Sequence, residues 1–93
     1  MKMTHLIVEG HVQGVFFRDY TRRQACNFNL IGWVRNLRNG TVEVMLAGDD
    51  QDIAAMLEWL KQGSPRSRVD NLIVNTIESN EYITSFEVRY DHW

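Results

Sequence analysis

The stretch GWVRNLRNGTVEVMLA, residues 32–47, contains two runs rich in apolar and β-branched residues that meet around Asn39-Gly40. This pattern is typical of a β-hairpin, since Asn-Gly readily adopts the positive φ angles of a tight turn. The two predicted strands are 32–38 and 41–47. Their register decides which side chains face the core, because a slip of one residue moves every side chain to the other face of the sheet.

Arg35 distinguishes the two possible registers of this hairpin. A two-residue turn would place Arg35 on the same face as the valines of the second strand, whereas a three-residue loop keeps it out of the core. We therefore predict the three-residue loop, with Gly40 in the left-handed conformation. This register makes two cross-strand pairs, Val34 with Val44 and Asn36 with Val42. It also predicts that Asn36 lies on the inner, helix-covered face at the end of its strand.

The segment before the hairpin predicts a strand followed by a helix. Residues 4–11 alternate, with Leu6 and Val8 on the buried face, and glycines at 10 and 14 interrupt the pattern. A helix is predicted to begin close to Arg18 and to end at residues 29–32. Its buried stripe has helical spacing and consists of Phe17, Thr21, Ala25 and Phe28.

The segment after the hairpin predicts a second helix and two more strands. The helix begins at residues 48–50 with an aspartate as N-cap, and Gly63 with Pro65 ends it. Its apolar residues are Ile53, Met56, Leu57 and Leu60. A fourth strand is predicted over 69–77, where a split would leave an extra short strand. A last strand has Phe86, Val88 and Tyr90 on one face.

The order through the fourth strand, β-α-β-β-α-β, predicts an α+β protein with the ferredoxin-like split βαβ fold, in which two helices cover one face of an antiparallel sheet, and the last strand follows it. A chain of 93 residues without a linker or repeat predicts one domain spanning 1–93. Enzymes, RNA-binding modules, metal carriers and regulatory domains all use this fold, so the fold alone does not identify a function.

The composition excludes several classes of function. With 10 basic and 12 acidic residues the net charge is −2, which does not favour binding to nucleic acid or to a membrane surface. Cys26 is the only cysteine, which rules out an intrachain disulfide and a cysteine-rich zinc site. His5 and His92 lack a metal-ligand spacing, so we expect no metal. The absence of a signal peptide or membrane-length apolar run predicts a cytoplasmic protein.

The segment from Gly10 to Arg18 has the features of an anion site. Its two glycines allow backbone N–H groups to turn inward, and the following helix N-terminus adds unpaired N–H donors and a partial positive charge. Arg18 adds a permanent cation whose planar fork matches phosphate oxygens. Taken alone, the pattern fits equally well a tight strand-to-helix connection with a solvated arginine.

Two longer motifs favour the anion site. Gly10-His11-Val12-Gln13-Gly14-Val15-Phe16-Phe17-Arg18 resembles the first acylphosphatase signature, G-x-V-Q-G-V-x-F-R. Gly32-Trp33-Val34-Arg35-Asn36, followed by Gly40, Val42 and Gly48, resembles the second, G-[FYW]-[AVC]-[KRQ]-N-x3-G-x-V-x5-G. The segment 63–69 is also similar to the one that follows the second helix in that family. The resemblance extends to about Tyr90.

The resemblance implies an acylphosphatase that uses no metal or cofactor and acts as a monomer on a small acyl phosphate. Arg18 matches the arginine that binds the substrate phosphate, and Asn36 matches the asparagine that holds the attacking water. The backbone amides that share phosphate binding are those of Gln13, Gly14, Val15, Phe16 and Phe17. Phe16 is bulkier than its counterparts, and Leu37 replaces a threonine that supports the asparagine in some members. No acyl-side pocket is evident in the sequence.

Other conspicuous residues have simpler explanations. We expect His11 to be solvent-exposed, Arg22 and Arg23 to form a solvated helix face, and Cys26 to be packed or partly exposed. The tryptophans are expected to be packing or surface residues. Two rival functions remain: an anion-binding module without turnover, and an RNA-binding domain. The strand 41–46 lacks the exposed aromatics and basic residues that the RNA-binding domain requires.

Overall fold

The computed structural model describes residues 1–90. The described strands are β1 (Lys2–His11), β2 (Ile31–Asn36), β3 (Val42–Ala47), β4 (Arg68–Glu78) and β5 (Phe86–Val88). The helices are α1 (Phe17–Asn27) and α2 (Asp50–Gln62). The strands form one sheet in the order β4-β1-β3-β2-β5. The predicted element order and ferredoxin-like α+β fold are confirmed.

The main core lies between the two helices and one face of the sheet. The predicted stripe of α1 is confirmed, since Phe17, Thr21 and Ala25 are buried and Phe28 is partly buried against the main core. In α2 the buried residues are Met56 and Leu60, while Ile53 and Leu57 are partly buried against the same core. Asp49 occupies the N-cap position of α2, although its side chain makes no capping hydrogen bond.

The β2–β3 hairpin has the register predicted from Arg35. Val34 pairs with Val44 and Asn36 with Val42, and Gly40 has a φ of +90°. The side chain of Arg35 lies outside the main core, where its Nε donates to Glu43 Oε1 at 2.6 Å. Asn36 therefore lies at the end of β2 on the helix-covered face.

The prediction of a wholly antiparallel sheet is wrong at one edge, because β5 pairs parallel with β2. The chain leaves β4 at one edge of the sheet, and residues 79–85 cross the face opposite the helices to reach the other edge. Ile83 is buried on that face against Met3, Trp33 and Met45, and Trp33 Nε1 donates to Glu81 Oε1 at 3.1 Å. Because the chain crosses at the end where β4 finishes, β5 runs in the same direction as β2.

The edge strands differ from the prediction in length. The fourth strand is one continuous element of 11 residues, so the extra strand predicted from a split is absent from residues 1–90. The last strand ends at Val88, two residues before Tyr90. No helix within the described chain is long and apolar enough to span a membrane.

A partly buried charge cluster lies on the face of the sheet opposite the helices. Glu43 accepts hydrogen bonds from Arg35 and from His5 Nε2, the second at 2.7 Å, and its side chain is only 14% exposed. Burial raises the pKa of Glu43, but the hydrogen bonds from His5 and Arg35 outweigh this effect, and the pKa lies below its ordinary value of 4.5. The carboxylate form of Glu43 therefore stabilises the folded protein.

We expect Glu43→Gln to lower the free energy of unfolding by about 1 kcal/mol near neutral pH, because two charge-assisted hydrogen bonds become weaker. A lowered folded-state pKa stabilises the protein above the ordinary pKa, and this stabilisation is lost as the pH falls through the folded-state value. Urea unfolding across the acidic range should therefore show the wild type and variant converging as the pH falls. A gap that stays constant from neutral to strongly acidic pH would contradict the assignment.

Candidate active site

A cavity of about 460 Å³ lies at one end of the sheet, where β1, β2 and β5 finish and α1 begins. Its lining combines two arginines, one carboxylate residue, one amide residue, a glycine and aromatic residues. The lining residues are Val12, Gly14, Phe16, Phe17, Arg18, Asp19, Arg22, Asn36, Val88 and Tyr90. A cavity of this size falls within the range that holds small organic ligands, and it exceeds what one phosphate ion occupies.

The connection between β1 and α1 is held in place by three apolar anchors. Val12, Val15 and Phe17 are buried in the main core, and the Phe17 ring packs against Trp59 with 6.1 Å between centroids. A β-bulge at Gly10 directs the chain out of β1, and a Cβ at this position would lie 2.0 Å from the carbonyl oxygen of Arg68. The three buried side chains and the bulge at Gly10 therefore give the loop a defined conformation.

The backbone amides of this loop are available to a ligand. Gly14 has a φ of +74° and Phe16 a φ of +59°, so the chain turns sharply before the first turn of α1. Within residues 1–90, no backbone carbonyl accepts a hydrogen bond from the amides of 14–18. Free amides at a helix N-terminus attract anions through their N–H groups and through the helix dipole. The loop can therefore act as an anion cradle.

Arg18 lies in the first turn of α1 and lines the cavity. No carboxylate of the described chain forms an ion pair with it, and its Cζ lies 4.8 Å from the centroid of the Tyr90 ring. The neighbouring acid, Asp19, pairs instead with Arg22 at 3.3 Å and with Arg23 at 2.9 Å. The Arg18 guanidinium thus keeps its hydrogen-bond donors for an anion in the cavity.

Asn36 reaches the cavity from the end of β2. Its Oδ1 is buried and has no hydrogen-bond partner among the described residues. A buried amide oxygen without a partner costs about 1–3 kcal/mol, so it is rare unless a water molecule or a ligand completes it. Asn36 can therefore accept a hydrogen bond from a water molecule placed beside an anion on the loop.

The side chain of Gln13 joins the cradle loop to the hairpin, a role that its place in the motif did not predict. Its Nε2 donates to the carbonyl oxygens of Leu37 at 2.7 Å and Thr41 at 2.8 Å. Gln13 and Val15 are not among the residues that line the cavity, whereas Phe16, Phe17 and Arg18 are. Gln13 therefore fixes the loop relative to the strand that carries Asn36.

We expect Gln13→Met to lower the free energy of unfolding by about 1–2 kcal/mol, because it keeps the shape of the side chain and removes both N–H donors. Urea unfolding measures this directly. Gln13→Glu should be worse at neutral pH, since a carboxylate would repel the two carbonyl oxygens. A loss below about 0.5 kcal/mol in both variants, the range of an ordinary surface substitution, would show that the link is weak.

Five of the ten lining residues were not among the predicted site residues: Val12, Asp19, Arg22, Val88 and Tyr90. Arg22 lines the cavity, whereas it was expected on a solvated helix face with Arg23. Tyr90 was expected in the last strand. The amide of Arg89 donates to the carbonyl oxygen of Val34 at 2.8 Å, and this bond holds the chain beside β2 as far as Tyr90. Tyr90 reaches the cavity because β5 runs parallel to β2, so that both strands finish at the same end of the sheet.

The remaining candidates lie away from the cavity. His11 and Cys26 are exposed, and Trp33 is buried beside Ile83 on the face of the sheet opposite the helices. The described residues contain no group of three or more His, Cys, Asp or Glu side chains placed to hold a metal ion. The predictions for His92 and Trp93 concern residues outside the described part of the chain.

Comparison with known proteins gives a consistent result. The family model described as Acylphosphatase matches residues 4–88. An acylphosphatase of Syntrophus aciditrophicus is 41% identical over 98% of this chain and 95% of its own length. One of Thiobacillus denitrificans is 43% identical over 98% and 100%. The crystal structure of acylphosphatase from Bacillus subtilis superposes with a TM-score of 0.90 at 36% identity, covering 97% of this chain and 100% of that one.

Proposed function

The chain belongs to the acylphosphatase family, and on that basis we propose that it hydrolyses acyl phosphates to a carboxylate and inorganic phosphate in the cavity beside α1. The observation that supports this most directly is the meeting of two unsatisfied groups in one cavity. Arg18 has no carboxylate partner within residues 1–90, and the buried Oδ1 of Asn36 has no hydrogen-bond partner there.

The phosphoryl group would bind to the loop and to Arg18. The amides of Gln13, Gly14, Val15, Phe16 and Phe17 supply N–H donors, and the guanidinium adds a charged fork that contacts two phosphate oxygens. Phosphoryl transfer develops charge on the equatorial oxygens of the phosphoryl group, so preorganised donors stabilise the transition state more than the ground state. Because the buried side chains of Val12, Val15 and Phe17 anchor this loop, its donors need little reorganisation during the reaction.

Asn36 would hold the attacking water. The water oxygen bonds to phosphorus as the bond between phosphorus and the acyl oxygen breaks, and the carboxylate leaves with the electron pair. A neutral amide cannot take the proton of the water, so Asn36 acts by orientation. The proton passes to a phosphate oxygen, and the products are the carboxylate and dihydrogen phosphate. The carboxylate is a good leaving group, so the reaction requires neither a metal nor a strong nucleophile.

Hydrolysis of benzoyl phosphate, followed by ultraviolet absorbance with EDTA present, tests the activity. We expect saturable turnover that EDTA does not affect. Phenyl phosphate is the matched control, because its phenolate is a far poorer leaving group and should not be released at a measurable rate. Binding of inorganic phosphate without any turnover of benzoyl phosphate would identify an anion-binding module instead.

The other expectations remain proposals. A single domain over residues 1–93 and a monomeric state agree with the family. A cytoplasmic location agrees with the free thiol of Cys26. Sedimentation of the purified protein would test the monomeric state.

A further inference from the structure

Phe16 has an unusual combination of conformation and exposure. It adopts the left-handed region, with φ 59° and ψ 22°, and 74% of its surface is exposed. A bulky residue is strained in this conformation, at a cost of about 1–2 kcal/mol that glycine would avoid. The exposed ring also gains little of the burial energy that a core phenylalanine contributes to folding. Neither the turn nor the core requires a phenylalanine here.

The position of this ring relates it to the proposed chemistry. Phe16 lines the same cavity as Arg18 and Asn36, and it directly precedes the first turn of α1. Tyr90, itself 69% exposed, lines the cavity as well and covers the Arg18 guanidinium. Two exposed rings thus border the cavity. Its polar groups can bind a phosphoryl group, but they do not account for the rest of its volume. The volume beyond that group has an aromatic border.

We propose that Phe16 is the specificity-determining residue for the acyl group, and that the enzyme favours acyl phosphates with an aromatic or large apolar acyl group over acetyl or carbamoyl phosphate. The inference rests on the proposed function of this cavity. The Phe16 ring loses its contact with water when it stacks on an aromatic acyl group, and offset ring pairs gain further energy from their quadrupoles. A methyl or amino group offers too little surface for this contact.

The ratio of kcat/KM for benzoyl phosphate to kcat/KM for acetyl phosphate tests the proposal. In Phe16→Ala this ratio should fall about fivefold to tenfold, since the ring contact serves only the aromatic substrate. Phe16→Tyr keeps the ring and should keep the ratio. A change in the loop backbone would slow both substrates by the same factor, so a ratio unchanged in Phe16→Ala would overturn the proposal. Tyr82→Ala is the matched control, because Tyr82 is an exposed ring that does not line the cavity.

A binding measurement separates failure of this inference from failure of the proposed function. Phenacylphosphonate and acetonylphosphonate replace the labile bridging oxygen by a methylene group, and calorimetry gives their affinities without turnover. Tighter binding of phenacylphosphonate in the wild type, lost in Phe16→Ala and kept in Phe16→Tyr, supports the role of Phe16 even if neither acyl phosphate is hydrolysed. Equal affinities of the two phosphonates in the wild type would overturn it.

Discussion

Arg18→Ala is expected to lower kcat/KM for benzoyl phosphate by about 10³- to 10⁵-fold, the range seen when a charged arginine is removed from a phosphoryl-transfer site. Arg18 is the cation in the first turn of α1 that has no carboxylate partner in the described chain. Its loss leaves only the loop amides and the helix dipole to stabilise the phosphoryl oxygens. Steady-state kinetics, with far-ultraviolet circular dichroism to establish folding, measures the effect.

Two further variants give this prediction its controls. Arg18→Lys keeps the charge and loses the planar fork, so its activity should lie between those of the wild type and Arg18→Ala. Arg23→Ala removes the same charge from the same helix, but Arg23 pairs with Asp19 and does not line the cavity. It should stay close to the wild type. If Arg18→Ala and Arg23→Ala lose activity to the same small extent, Arg18 contributes only to the general field of the helix.

Asn36→Ala is expected to lower kcat by about 10²- to 10³-fold with little change in KM, because it removes the group that orients the water and leaves the phosphate cradle intact. The same change should alter the free energy of unfolding by less than about 1 kcal/mol. The wild-type Oδ1 has no hydrogen-bond partner in the described chain, so the change breaks no bond between that atom and the protein and leaves only a small cavity. Kinetics and urea unfolding are therefore measured on the same preparation.

A large loss of activity without a loss of stability makes this test specific. Asn75→Ala is the control, because Asn75 is exposed on β4 and does not line the cavity. A raised KM with unchanged kcat in Asn36→Ala would assign Asn36 to substrate binding. A large loss of stability would assign it a structural role.

Much of the fold could be predicted because local patterns and the global fold agree. The position of Arg35 determined the hairpin register, since only one of two registers kept it out of the core, and that register placed Asn36 on the helix-covered face. The apolar stripes of both helices followed from their spacing. The cradle could also be predicted, because a strand, a glycine-containing loop and a helix N-terminus adjoin one another in the chain between Gly10 and Arg18.

The rest depends on contacts between residues that are distant in the sequence. The parallel direction of β5 results from residues 79–85 crossing the open face, where Ile83 and Trp33 are buried, and no local pattern encodes that crossing. The position of Tyr90 over Arg18 follows from it. The Gln13 side chain bonds backbone carbonyls 24 and 28 residues away, which a motif cannot reveal because any residue type has such carbonyls.

Hydrolysis of benzoyl phosphate in ¹⁸O-labelled water tests most directly the central claim, that this cavity directs a water molecule to phosphorus. The enzyme is used at a concentration at which catalysed hydrolysis far outpaces the spontaneous reaction, and mass spectrometry locates the label in the products. We expect one ¹⁸O atom in inorganic phosphate and none in benzoate. Label in the benzoate carboxylate would mean that water attacks the carbonyl carbon, and would contradict the roles given to the loop, Arg18 and Asn36.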